Sequence, residues 1–249
     1  PVAPVAAGAA VCGAPRADGG PGRRPAGRPR AGAADLAARS PPPRPGAGEG
    51  RRVAAAGAAP RLADDAALAR DADVVVAAST AADVLADRGV GVDCMVTDLD
   101  KNPETAVELT RDGTPVAAHA HGDNLSAVRE WLPRSAAGGP PARTRAGPAG
   151  PVRNAGGFTD GDRAAFLADP VGAGELVFPG WEFDDPAVDP MKARKLDWAA
   201  HLLRWLERRR GERFAVLDGR REAADAALEE ILGDDLAGGS GPEGGSTDG

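Results

Sequence analysis

From Arg52 onward the chain alternates short apolar runs with stretches of helical period, and each run ends in Gly, Asp, Ser or His. The pattern predicts a strand over Val53–Ala56 and a helix over Leu62–Arg70, then a strand over Asp73–Ala77 and a helix over Ala81–Arg88. Cys94–Thr97 reads as a third strand. A helix over Pro103–Arg111 follows it, with Asn102 as N-cap and Pro103 at the first position. Pro115–Ala118 and Asn124–Leu132 make a fourth strand and helix. Further on, Asp160–Ala168 reads as a helix and Glu175–Phe178 as a strand. Met191–Arg209 is the longest helix, with Trp198, Leu202, Trp205 and Leu206 on one apolar face. Phe214–Leu217 reads as a last strand and Glu222–Leu232 as a closing helix. Strands separated by helical crossovers predict an α/β fold: a mostly parallel, Rossmann-like sheet with helices on both faces.

Three segments carry no such pattern. Residues 1–52 hold ten Pro and ten Gly, residues 134–150 are a second Gly/Pro/Arg-rich interruption, and residues 233–249 form a Gly/Ser/Asp tail. A disordered head, an α/β domain over 53–232 interrupted by the irregular 134–150, and a disordered tail are therefore expected. The net charge of −7 conceals a split, because residues 1–52 carry +6 and leave −13 for the rest. The basic head has no aromatic residue for stacking and no Lys, so nucleic-acid binding is not expected of it. The body has Arg in place of Lys almost throughout, with Lys101, Lys192 and Lys195 as the exceptions; its acidic balance suits a salty solvent. No apolar stretch approaches the roughly 18 residues of a membrane span, which predicts a cytoplasmic protein with no membrane partner. A homo-oligomer is compatible with this reading. Cys12 and Cys94 match no metal or redox spacing.

In open parallel sheets ligands bind beyond the carboxyl ends of the strands, and the residues there are polar. They include Ser79-Thr80, Asp98-Leu99-Asp100, and His119-Ala120-His121-Gly122-Asp123-Asn124. Asp98 and Asp100 lie two apart at a strand end, which suits Mg²⁺ if the backbone stays extended, and equally suits a helix start decorated with acids. Asp123 offers a third carboxylate, or an N-cap. His119 and His121 resemble the start of an amidohydrolase metal site, but the chain offers only His201 beyond them, so a phosphate contact or a hydrogen bond within the loop is the better expectation. Gly156-Gly157-Phe158-Thr159-Asp160-Gly161-Asp162-Arg163 is a Gly-rich turn running into a helix. That makes it both an anion site and, through Thr159 and Asp162, a capping box. No P-loop signature occurs anywhere in the chain.

Taken in order, the runs Asp73–Asp100, His119–Asn124 and Gly156–Arg163 resemble the archaeal 6-hydroxymethyl-7,8-dihydropterin diphosphokinase family, its haloarchaeal members above all. In fold that family is related to thiamine diphosphokinases. The resemblance implies Mg²⁺-dependent transfer of a diphosphate from ATP to a pterin alcohol, releasing AMP, in folate or tetrahydromethanopterin biosynthesis. It implies Asp98, Asp100 and Asp123 as the residues holding Mg²⁺–ATP and Thr159, Asp160, Gly161, Asp162 and Arg163 as those binding phosphate. Ser79, Thr80, His119, His121 and Asn124 would line the site. Ser79-Thr80 stands where some relatives have Asp-Gly, and the Ala/Arg/Gly/Pro bias of 1–52 and 134–150 reads like DNA translated out of frame. A thiamine diphosphokinase and a non-catalytic nucleotide-binding protein are the alternatives.

Overall fold

A computed structural model describes residues 50–121, 123–135, 143–144, 155–169 and 172–232. The segments at 1–49 and 233–249, and most of 134–150, lie outside the described residues. Six strands form one sheet: β1 (Arg51–Ala56), β2 (Val74–Ala78), β3 (Cys94–Thr97), β4 (Val116–Ala120), β5 (Arg143–Thr144) and β6 (Ala173–Val177). Their spatial order is β5-β4-β3-β2-β1-β6 and every pairing is parallel. The helices are α1 (Ala66–Arg70), α2 (Ala81–Asp87), α3 (Pro103–Arg111), α4 (Leu125–Trp131), α5 (Asp160–Ala168), α6 (Pro190–Arg210) and α7 (Arg221–Leu232).

Strands buried on both faces are nearly continuous apolar runs, and the two-residue period divides each run between two cores. Val53, Ala55, Val74, Val76, Cys94, Val96 and Ala117 face α5 and α6, whose Ala164, Ala165, Ala199, Leu203 and Leu206 complete that layer. Ala54, Ala56, Val75, Ala77, Met95, Val116 and Ala118 face the other side, covered by Leu62, Ala66, Ala69, Ala81, Leu85 and Ala106. The sheet is lined largely by Val and Ala, and the large rings gather beyond its edge, where Phe178 meets Phe214 at 4.8 Å between ring centroids. This is the expected α/β architecture with helices on both faces. Its first strand starts two residues earlier than predicted, at Arg51, inside the basic head.

Two predicted elements take other forms. The helix expected over 62–70 is a 3₁₀ turn at Pro60–Ala63 followed by the short α1. Asp65 interrupts it, because its carboxylate pairs with Arg61 at 2.9 Å and accepts the backbone N–H of Gly180 at 2.9 Å. Phe214–Leu217 is not a strand but leads into a 3₁₀ turn at Ala215–Leu217. Its backbone is engaged by side chains instead of a ladder: the Phe214 N–H donates to Glu207 Oε1 at 2.6 Å and its carbonyl accepts from Arg221 at 2.7 Å. Glu207 is 1% exposed and also pairs with Arg204 at 2.6 Å, so one buried carboxylate ties α6 to α7 and to the turn between them. Burial pushes this carboxyl up, but Arg221, the Phe214 N–H and Arg204 outweigh it and hold Glu207 below its ordinary range.

Candidate functional site

The chain crosses from β5 back to the far side of β1, so the sheet has its topological switch point between β1 and β6. Ligands usually lie in that crevice. Here it is stitched shut: Gly57 N–H donates to the Pro179 carbonyl at 2.9 Å, Ala59 N–H to Gly180 at 3.0 Å, and the buried Trp181 indole to the Ala55 carbonyl at 2.9 Å. The polar constellation forms instead over the ends of β3 and β4.

The strand period explains how. Val96 and Ala117 face α5, so Asp98 and His119, two residues further along each strand, emerge on the same side. The start of α5 comes to meet them. His119, 3% exposed, places Nε2 at 3.2 Å from Asp160 Oδ1. His121 places Nε2 at 3.4 Å from Asp98 Oδ2. One ligand atom each from Asp98, His119 and Asp160 lie within 4.8 Å of one another.

Three devices hold this geometry. Leu99 sits at φ +66°, a left-handed conformation unusual for a leucine, and its N–H is caught by the buried Thr97 hydroxyl at 2.9 Å. That turn folds the Asp100 N–H back onto Asp98 Oδ1 at 3.2 Å. Asn124, expected at a helix start, makes no side-chain cap there. Its amide nitrogen donates to the Asp98 carbonyl at 2.6 Å and the His119 carbonyl at 2.9 Å, while its oxygen accepts the His121 N–H at 2.7 Å. It therefore clamps the ends of β3 and β4 together. The third device is the start of α5, where Thr159 and Asp162 form the expected capping box. Asp162 is fully buried and accepts the N–H groups of Phe158 and Thr159, both at 2.6 Å. Burial pushes its carboxyl up against these hydrogen bonds.

Crowded acids disturb one another. Burial and the adjoining Asp98 push Asp100 up to about 6. Asp98 is also pushed up by burial, but hydrogen bonds from Asp100 and His121 outweigh this and hold it below its ordinary value. Burial and the charges of Asp98 and Asp100 hold Asp160 well above the carboxylate range. A cation placed among these oxygens would remove the repulsion that drives protons onto them.

The predicted residues are thus partly reassembled. Asp98 stands at the centre with Asp100 beside it, whereas Asp160, expected on the phosphate side, joins Asp98, and His119 completes the trio. Asp123 is exposed and lies outside that trio. Arg163 is turned to structure: it is 6% exposed and donates from Nε to the Phe158 carbonyl at 3.3 Å and from Nη1 to Gly156 at 3.4 Å. Gly161 lies on Trp181, where a Cβ would stand 2.8 Å from the indole. Ser79, buried at φ +48°, places its hydroxyl 3.4 Å from Asn102 Oδ1, and Thr80 opens α2 without a side-chain cap. Asn102 likewise caps nothing; it donates to Asp83 of α2 at 2.7 Å. Sequence reasoning missed Asp83, which also accepts the Thr105 hydroxyl at 2.7 Å and so braces α2 against α3. Its position in the first turn of α2 is the only local signal.

The class of protein defined so far is a parallel α/β sheet that carries a carboxylate–imidazole cluster at its carboxyl rim, beside a capped helix start; oxygen donors of this kind suit a divalent cation, and a helix start suits an anion. The particular lineage follows from comparison with known proteins. Residues 44–187 match the family described as 6-hydroxymethylpterin diphosphokinase MptE-like, and the chain belongs to that family. It is 40% identical over 150 residues to the 6-hydroxymethyl-7,8-dihydropterin pyrophosphokinase of Methanothermobacter thermautotrophicus, an alignment covering 54% of this chain and 63% of that protein. The proteins of the same name from Pyrococcus furiosus and Methanocaldococcus jannaschii are 36% and 29% identical, over 53% of this chain and 61% and 62% of their own lengths. The chain thus spans about three fifths of the length of these relatives. Among the described residues no helix is long and apolar enough to cross a membrane.

Proposed function

We propose that this protein transfers a diphosphate from ATP to the hydroxymethyl group of 6-hydroxymethyl-7,8-dihydropterin, releasing AMP. The observation that carries the reading is the convergence of Asp98, His119 and Asp160 at the sheet rim, in a chain of the MptE-like family. The alcohol oxygen forms a bond to the β-phosphorus as the bond from that phosphorus to the α,β-bridging oxygen breaks; AMP departs and the alcohol proton is released. Such a transfer asks for positioning and charge stabilisation more than for a covalent nucleophile.

The donor set fits a divalent cation. Mg²⁺ is commonly held by one or two carboxylates together with substrate phosphates, and Asp98 and Asp160 would supply the carboxylates, with Asp100 beside them. Bound there, Mg²⁺ would neutralise charge on the transferring phosphates. His119, through its contact with Asp160, fixes the orientation of that carboxylate. His121 does the same for Asp98. Asn124 keeps the two strand ends at one separation, so the acids meet the phosphates without rearrangement. The product would enter a pterin cofactor pathway, folate or tetrahydromethanopterin.

The test is AMP release from ATP with Mg²⁺ in concentrated KCl, offering 6-hydroxymethyl-7,8-dihydropterin, thiamine or no acceptor in parallel. AMP formed only with the pterin is the expected result. AMP formed with thiamine alone, or equally without acceptor, overturns the reading.

A further inference from the structure

Of the 30 lysines and arginines in the chain, Lys101, Lys192 and Lys195 alone are lysines. Arginines such as Arg204, Arg210 and Arg221 serve the fold, each paired with a carboxylate. Among the described residues Lys192 and Lys195 make no ion pair. Lys101 directly follows Asp100 at the end of β3, and the other two open α6.

The run of α6 carries its first turns over the site. The Phe166 and Trp205 rings stack with centroids 5.8 Å apart, and Arg210 at the end of α6 pairs at 2.6 Å with Asp169, just past the end of α5. The two helices therefore run side by side in one direction, with both starts toward the carboxyl rim. Counting back six residues from each stacked ring reaches Asp160, the first residue of α5, and Ala199 in α6. Pro190–Trp198 lies beyond that level and extends about 13 Å past Asp160. It is exposed apart from the part-buried Ala193 and Leu196. Lys192 and Lys195 precede the buried Ala199 by seven and four residues, two turns and one, so they continue the stripe of Ala199, Leu203 and Leu206 that packs onto the sheet core. Below the rim that face covers the sheet. Above it, the same face overhangs the rim where Asp98, His119 and Asp160 meet.

We propose that Lys192 and Lys195 grip the β- and γ-phosphates of the nucleotide donor, an inference that rests on the diphosphoryl-transfer reading above. A guanidinium fork suits a fixed carboxylate, whereas an ammonium on a flexible stem is a point charge that follows a phosphate. The acceptor alcohol brings no negative charge for these lysines to meet. The β- and γ-phosphates hold most of the charge of the donor, and they must lie at the cation held by Asp98 and Asp160.

The test titrates each protein with Mg²⁺–α,β-methylene-ATP by calorimetry in concentrated KCl and repeats the AMP-release kinetics. The proteins are wild type, Lys192→Gln, Lys195→Gln, the two Gln substitutions together, and Lys192→Arg with Lys195→Arg. Each Gln substitution should raise the Kd of the analogue and the KM for ATP by about 10-fold or more. The acceptor KM should stay in place, and so should the urea midpoint, because both side chains are exposed. The paired Arg substitutions keep both charges and should recover most of the affinity. An unchanged Kd with both Gln substitutions, or a rise confined to the acceptor KM, overturns the phosphate assignment alone. Wild type that binds the analogue but releases AMP without need of the pterin overturns the functional reading alone, and wild type that does not bind the analogue overturns both.

Discussion

Replacing Asn124 should show how far the site depends on one amide. Its side chain is 6% exposed and makes three hydrogen bonds, to the carbonyls of Asp98 and His119 and from the N–H of His121. A net contribution of about 1 kcal/mol for each, with a further penalty where a backbone group is left buried and unpaired, puts Asn124→Ala at about 2–4 kcal/mol of lost stability. Asn124→Asp has almost the same shape but should be no better at pH 7. It would set a carboxylate oxygen against two carbonyl oxygens now 2.6 and 2.9 Å from the amide nitrogen, and it would add a charge beside Asp98 and Asp100. Protonation restores one donor, so the deficit of Asn124→Asp should shrink as the pH is lowered toward 5, while that of Asn124→Ala should not. Urea unfolding followed by tryptophan fluorescence measures both. Asn124→Asp as stable as wild type at pH 7 would refute the clamp.

Two further outcomes follow from the packing. Glu207→Gln leaves Arg204 and Arg221 without their shared carboxylate and should cost about 3 kcal/mol in urea unfolding. Because the folded Glu207 carboxyl lies below its ordinary value, its contribution is complete above the unfolded value of about 4.3 and is lost as the pH falls through the folded one. Acid unfolding of wild type should therefore carry a component that Glu207→Gln lacks. Gly157→Ala should destabilise the start of α5 by more than about 1 kcal/mol, since it meets both a φ of +88° and Arg163 at 2.7 Å; thermal melting that matches wild type would count against a rigid turn.

Much of this architecture was legible in local pattern, and the exceptions have physical causes. The strands were readable because two buried faces demand continuous apolar runs, and the rim because Asp98 and His119 end such runs. Phe214–Leu217 looked like a strand because four apolar residues carry no period of their own; the decision lay with Glu207 and Arg221, distant in pattern but close in space. Asp160 was readable as a helix-start acid yet not as a neighbour of Asp98 and His119. That meeting depends on how α5 is laid across β1, β2 and β3, which no local signal encodes. Asn124 shows the converse: a residue type typical of caps was spent on joining two strand ends.

The most direct test of the central claim is pterin-dependent AMP release by wild type, Asp160→Asn and Asp123→Asn assayed side by side with Mg²⁺. Wild type and Asp123→Asn should turn over alike, and Asp160→Asn should fall by about 100-fold or more, since it removes a carboxylate proposed to hold the cation that stabilises the transferring phosphates. Turnover retained in Asp160→Asn, or lost in Asp123→Asn, would contradict it.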